Sequence, residues 1–149
     1  MKSEPGSFSI DDLRKAKRTS WDGVRNYQAR NSMQQMEVGD LVLFYHSNAD
    51  PPGAAGVAKV CRTAYPDPTA FDRKDHHYDP KSNPEKPSWF MVDVQFVEKF
   101  PTFVTLDAMK EAKALQGMLL TSGKAMRLSV QPVDKRHFDA VRKMGHAPA

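Results

Sequence analysis

Cysteine is almost absent from this chain. The single residue, Cys61, can form neither an intramolecular disulfide nor a cysteine-rich zinc site, which fits folding in a reducing, cytoplasmic compartment. Long apolar runs are missing too. None approaches the length of a membrane span, and the opening Met-Lys-Ser-Glu-Pro carries no apolar stretch of the signal-peptide kind, so no membrane partner is expected. There is no Gly-x-Ser-x-Gly, no Walker loop, no dinucleotide fingerprint and no His-Glu-x-x-His, which argues against several large enzyme classes and leaves no cofactor expected. The run Asp75-His76-His77-Tyr78-Asp79 has the residue types of a metal site. Adjacent histidines on an extended segment point to opposite sides, however, and no third ligand stands at a helical spacing, so no metal is expected. Nor is there a large excess of one charge: 22 Lys and Arg against 18 Asp and Glu give +4, a mild bias toward polyanionic partners.

What the chain does have is the composition of an ordinary globular domain. With 149 residues, 40% hydrophobic and 27% charged, one core suffices, and a single monomeric domain over 1–149 is expected. Phe8-Ser9-Ile10-Asp11-Asp12-Leu13 reads as a capped helix start, with Ser9 accepting from the amide three residues on and Phe8 stapled to Leu13. The helix continues into Arg14-Lys15-Ala16-Lys17-Arg18, a basic face. Residues 41–45 are apolar throughout, as in a strand covered on both sides, and an antiparallel partner follows over 56–60 after a long hairpin tip. Pro66, Pro68, Pro80, Pro84 and Pro87 rule out a regular element across 66–87, and Tyr65, Phe71 and Tyr78 suggest an ordered loop pinned by aromatics. A long strand over 89–100, a helix capped by Thr105 and running through Ala114, a strand over 127–133 and a last helix capped by Asp134 that buries Phe138 and Val141 complete an α+β pattern with a mixed, curved sheet.

The segment Trp21-Asp22-Gly23-Val24-Arg25-Asn26-Tyr27 crowds a stacking surface, a carboxylate, a flexible backbone position, a guanidinium, an amide and a phenol into a short stretch. Base recognition needs such a mix, because a π face holds the ring and oriented donors and acceptors read its edge. A core Trp with a solvated polar loop has the same pattern. Lys2-Ser3-Glu4-Pro5, the run Trp21-Asp22-Gly23-Val24-Arg25-Asn26-Tyr27-Gln28-Ala29-Arg30-Asn31, Gly39-Asp40, Phe44-Tyr45-His46-Ser47, Gly56-Val57-Ala58, Tyr65-Pro66-Asp67-Pro68, Tyr78-Asp79-Pro80-Lys81-Ser82 and Arg127-Leu128-Ser129-Val130-Gln131-Pro132 together resemble the EVE domain family, in the right order and over nearly the whole chain.

The resemblance implies a PUA-like fold, a curved mixed β-sheet or barrel flanked by short helices, and a relation to YTH domains, which read methylated adenine in RNA. EVE domains are regarded as readers of modified DNA bases, so the implied partner is nucleic acid with a modified base, DNA ahead of RNA. By the YTH parallel, Trp21 matches one wall of the base cage, and Ser3 and Glu4 match polar residues at a strand end. Phe71 or Tyr78 stands where a second Trp would be expected. EVE chains usually carry a few apolar residues ahead of Lys-Ser-Glu-Pro; here only Met1 precedes it, so either a short first strand or a true start further upstream is expected.

The resulting base pocket comprises Ser3, Glu4, Trp21, Asp22, Asn26, Tyr45, His46, Ser47 and Tyr78, with Arg25, Arg30, Lys124 and Arg127 facing phosphate or another anion. The competing role for Arg25 and Arg30 is a salt bridge to Glu4, Asp22 or Asp40. Two other classes fit less well: an enzyme using Glu4 or Asp22 with His46 as acid and base, and an interaction module using the basic helix at 14–18. Because the +4 charge is spread among many acidic residues, nucleic-acid affinity should fall with salt as for roughly two to four phosphate contacts. A slope of about eight or more in salt titrations would contradict this charge reading.

Overall fold

The computed structural model of the chain describes residues 1–122 and 128–147. Its strands are β1 (Lys2–Ser3), β2 (Arg18–Trp21), β3 (Leu41–His46), β4 (Gly53–Pro66) and β5 (Phe90–Thr105), and its helices α1 (Ile10–Ala16), α2 (Tyr27–Gln34), α3 (Leu106–Glu111) and α4 (Lys135–His146). The strands form one mixed open sheet in the order β1-β3-β4-β5-β2. β1 runs parallel to β3, with Ser3 opposite His46, and every other pairing is antiparallel. The β4–β5 ladder shifts register between Ala54 and Gly56, Val57 and Ala58, Val60 and Arg62, and Arg62 and Tyr65. Such bulges bend and twist a ribbon, which gives the expected curvature.

β3 divides the interior. Because side chains alternate along a strand, Val42 and Phe44 enter one layer with Ile10 and Leu13 of α1, Trp21, Ala29 and Met33 of α2, Val92 and Val94. Leu43 and Tyr45 enter the other, with Val57, Phe100, Met109 of α3, and Phe138 and Val141 of α4. From Val42 to Tyr45 the apolar run therefore has the two-sided cover it predicts, while Leu41 at the strand start is exposed. Glu98 ties α4 to β5 through Arg142 Nε at 3.1 Å and His146 Nε2 at 2.7 Å.

Several expected elements take a different form. Ser9 and Asp12 build the capping box, but α1 stops at Ala16: Lys17 turns to φ 70 and its carbonyl accepts from Phe96 N, so Arg18 enters β2 opposite Gln95. The basic run is thus split between a helix end and an edge strand. Thr105 caps α3 as expected, yet the helix ends at Glu111, and Asp134 precedes α4 without a side-chain cap bond. α2 has a readable signal in retrospect, an Asn26 cap followed by Ala29 and Met33 at helical spacing. The strand expected over 127–133 is absent from 128–133, where Pro132 has no N–H to give; Ser129 O accepts from Lys2 N at 2.7 Å, and the sheet stays open where a barrel would close. Among the described residues, no helix is long and apolar enough to cross a membrane.

Trp21 lies inside the α1/α2 layer, 9% exposed, with its ring edge-on to Phe44 at 5.7 Å. Burial on that scale makes it a core residue. Trp21→Ala should cost about 3–5 kcal/mol in urea denaturation; a variant as stable as the parent would show that the ring contributes little to the core.

Candidate nucleic-acid interface

The loop from Asp22 to Asn26 connects β2 to α2, and it is held from beneath by Asp67. That carboxylate is fully buried. Its Oδ2 accepts from Gly23 N at 2.8 Å and Arg25 Nη1 at 3.1 Å, while its Oδ1 accepts from Thr69 N at 2.9 Å and Thr69 Oγ1 at 2.6 Å. Burial alone would raise its pKa, but the Thr69 hydroxyl, the two amides and the guanidinium together hold it below the ordinary carboxylate value. Arg25 also donates to His77 O at 3.0 Å, Thr69 Oγ1 at 3.0 Å and Val24 O at 3.1 Å, and lies over the Trp89 ring. Gly23, at φ +72, has the imidazole of His77 where a Cβ would stand. The positive φ favours glycine at this position, and a larger residue would displace the His77 ring.

Segment 66–88 is ordered, and carboxylates and amides pin it more than aromatic rings do. Asp67, Asp72, Asp75, Asp79 and Asn83 each accept from the backbone N–H two residues on, giving a string of Asx turns. Asp79 also takes the Trp89 Nε1 proton at 2.7 Å. Tyr27 stacks on Trp89 with centroids 4.7 Å apart, and Arg30, whose guanidinium sits 4.7 Å from the Tyr27 centroid, donates to Ser88 O and Asn31 Oδ1. The expected aromatics are present but secondary: Phe71 ends a short 3₁₀ turn over Pro68–Phe71, and Tyr78 is half-buried with its amide bonded to Asp75 O. The turn at Asp75 also brings His76 and His77 to the same side, their ring centroids 3.8 Å apart, contrary to the expectation for an extended segment.

A second group gathers where β1 and β3 end. Ser3 Oγ donates to Phe8 O at 2.6 Å, Glu4 Oε1 accepts from Asn48 Nδ2, and Ser47 N donates to Ser3 O. His46 Nε2 accepts the Ile10 amide at 3.1 Å, which fixes that nitrogen as unprotonated, and desolvation keeps the imidazole pKa below 6.5. A chain of rings, Trp21 to Phe44 at 5.7 Å and Phe44 to His46 at 5.8 Å, links this group to the Trp21 loop.

The sequence-derived pocket is therefore only partly assembled. Tyr45 faces the α3/α4 layer, where it lines a 510 Å³ cavity with Met1, Leu43, Met118, Val130 and Phe138; alternation along β3 prevents it from sharing a floor with His46. Trp21 shows almost no free face. Arg25 is turned inward, and the carboxylate it pairs with is Asp67 rather than Glu4, Asp22 or Asp40, whereas Arg30 lies over the exposed Tyr27 ring with its donors on Ser88 O and Asn31 Oδ1. Lys124 and Arg127 lie outside the described residues. Asp22 and Asn26 remain exposed on the loop, Asn26 while capping α2 through Ala29 N at 3.0 Å. Although Asp22 is exposed overall, desolvation on its inner side and the nearby Asp67 charge push its carboxyl pKa up. Sequence reasoning missed the exposed cations of the adjoining loop, Arg73, Lys74, Lys81 and Lys86; their signal was four bases scattered among turn residues.

A family model described as the EVE domain matches residues 1–144. Thymocyte nuclear protein 1 of Rattus norvegicus is 44% identical over 164 residues, covering 99% of this chain and 73% of that protein; the Homo sapiens protein is 44% identical over 160 residues, covering 95% and 70%. A solved structure of a hypothetical protein from Leishmania major is 52% identical with a TM-score of 0.91, covering 97% of this chain and 91% of that one. A crystal structure of human THYN1 protein in complex with 5-methylcytosine containing DNA is 40% identical with a TM-score of 0.92, covering 100% of this chain and 97% of that one.

The buried Arg25–Asp67 pair makes a testable demand on stability. Asp67→Ala leaves a guanidinium and two amides without their acceptor and should cost about 3–5 kcal/mol in urea denaturation. Since the folded pKa of Asp67 is depressed, its contribution is complete above its unfolded value, near 3.8, and is lost as pH falls through the folded pKa. The variant should therefore lose part of the parent's acid-side decline in stability. An unchanged urea midpoint would refute the clamp.

Proposed function

The chain belongs to the EVE domain family, and from that premise we propose that it binds DNA through a modified nucleobase, 5-methylcytosine being the first candidate. The observation that carries this reading is the near-complete superposition on the human protein solved with 5-methylcytosine DNA. The local chemistry is suitable. Asp22 and Asn26 project from a loop braced by Asp67, and a carboxylate accepts from the N4 amino group that distinguishes cytosine. Ser3 and Glu4 supply further acceptors at the end of β1, and Trp21, packed edge-on against Phe44, anchors the loop. Phosphates are met by Arg73, Lys74, Lys81 and Lys86, whose exposure suits backbone contacts better than the guanidinium groups of Arg25 and Arg30, which are engaged by Asp67, Ser88 O and Asn31.

In this reading the protein acts as a monomeric binding module of one domain, and RNA binds less well than DNA. An acid–base pair from Glu4 or Asp22 with His46 is disfavoured because His46 Nε2 is committed to the Ile10 amide. Fluorescence anisotropy with matched duplexes should give tighter binding to 5-methylcytosine than to cytosine. Asp22→Ala should weaken binding to the methylated duplex by about 1–3 kcal/mol, roughly 5- to 150-fold, with a melting temperature no lower than the parent's, since the raised carboxyl pKa means that the ionised group opposes folding. Equal affinity for both duplexes, or time-dependent conversion of the modified base, would overturn the proposal.

A further inference from the structure

Three potential metal ligands lie together beside the braced loop, at a place the base-binding reading does not use. Asp75, His76 and His77 each offer one ligand atom, and these atoms lie within 4.8 Å of one another. His77 Nδ1 is 3.1 Å from Asp75 Oδ1 and His76 Nδ1 is 3.8 Å from it. Ligands on a tetrahedral zinc ion, at about 2.0–2.2 Å from the metal, are separated by about 3.3–3.6 Å. The two carboxylate–imidazole separations straddle that value, and the imidazole nitrogens lie within 4.8 Å of each other, so rotation of the exposed His76 side chain would complete the convergence on one ion.

We propose that Asp75, His76 and His77 form a binding site for a divalent transition-metal ion of the zinc type, with water completing the coordination. Two imidazoles and one carboxylate suit zinc, and they are a poor set for magnesium or calcium, which require a shell of oxygens. Much of the site is fixed in advance. Asp75 Oδ1 also accepts from His77 N at 2.8 Å, and Asp75 N and Tyr78 N close turns onto Asp72 O and Asp75 O. The His77 ring is seated against Gly23, and its carbonyl accepts from Arg25 Nε. His76, with its side chain 85% exposed, is the adjustable ligand. The neighbouring charges are mixed: the carboxylates of Asp22 and Asp67 lie near Asp75, Arg25 is paired with Asp67, and Arg73 and Lys74 are exposed on the same segment. A bound ion would link segment 72–78 to the Asp22–Asn26 loop through His77.

Isothermal titration of the untagged chain with zinc chloride tests the site. One ion per chain should bind saturably and, at about a hundredfold excess over Kd, raise the melting temperature by about 5–10 °C, whereas magnesium at the same concentration leaves it unchanged. His76→Ala, at a position too exposed to matter for folding, should weaken zinc binding by about tenfold or more while the metal-free melting temperature stays at the parent value. His76→Ala/His77→Ala should abolish the thermal shift. Absence of saturable zinc binding, an equal response to magnesium, or parental zinc affinity in the double variant, which would place the ion at His46, His137 or His146, overturns the proposal.

Discussion

The carboxylate of Asp67 accepts four hydrogen bonds from three residues of two chain segments, and the local architecture of the interface depends on it. A buried ion without partners carries a desolvation cost of several kcal/mol, so the sites that satisfy it are held close together. Here those sites are Gly23 and Arg25 on the Trp21 loop and Thr69 at the start of the proline-rich segment. Neither segment has a ladder of its own to fix it. The ion pair and its hydrogen bonds convert two irregular stretches into one surface, and Arg30 repeats the arrangement on a smaller scale by reaching Ser88 O from α2.

That surface stands on a sheet whose third strand is buried on both faces. Phe44 on one side and Tyr45 on the other are each nearly excluded from solvent, so β3 cannot slip by one residue without placing its two sets of side chains in the wrong layers. Fixing β3 fixes β1 beside it, and with β1 the polar cluster of Ser3, Glu4, His46 and Ser47. The same rigidity separates Tyr45 from that cluster. On this scaffold the basic residues divide by role: Arg25 and Arg30 hold the loops, and the lysines and Arg73 of the Asx-turn segment face solvent. Guanidinium groups are suited to the former task, since several donors in a fixed plane can satisfy several carbonyls at once.

Much of this was determined by sequence. The capping box at Ser9, the apolar strand covered on both sides from Val42 to Tyr45, its antiparallel partner, the Thr105 cap and the apolar face of α4 follow from side-chain period and cap chemistry, which act over a few residues. The ordered blocks also carried the family and, with it, the α+β fold. Tertiary structure decided the rest. Whether Trp21 is a platform or a core residue depends on Phe44, 23 positions later, as its ring neighbour; whether Arg25 meets phosphate or carboxylate depends on Asp67, 42 positions away. The common side of His76 and His77 depends on an Asx turn overriding the alternation of an extended chain. Local patterns specify which atoms a segment can bury or pair, but partners distant in sequence are chosen only when the sheet brings them together, and at those points the residue types alone leave two roles equally open.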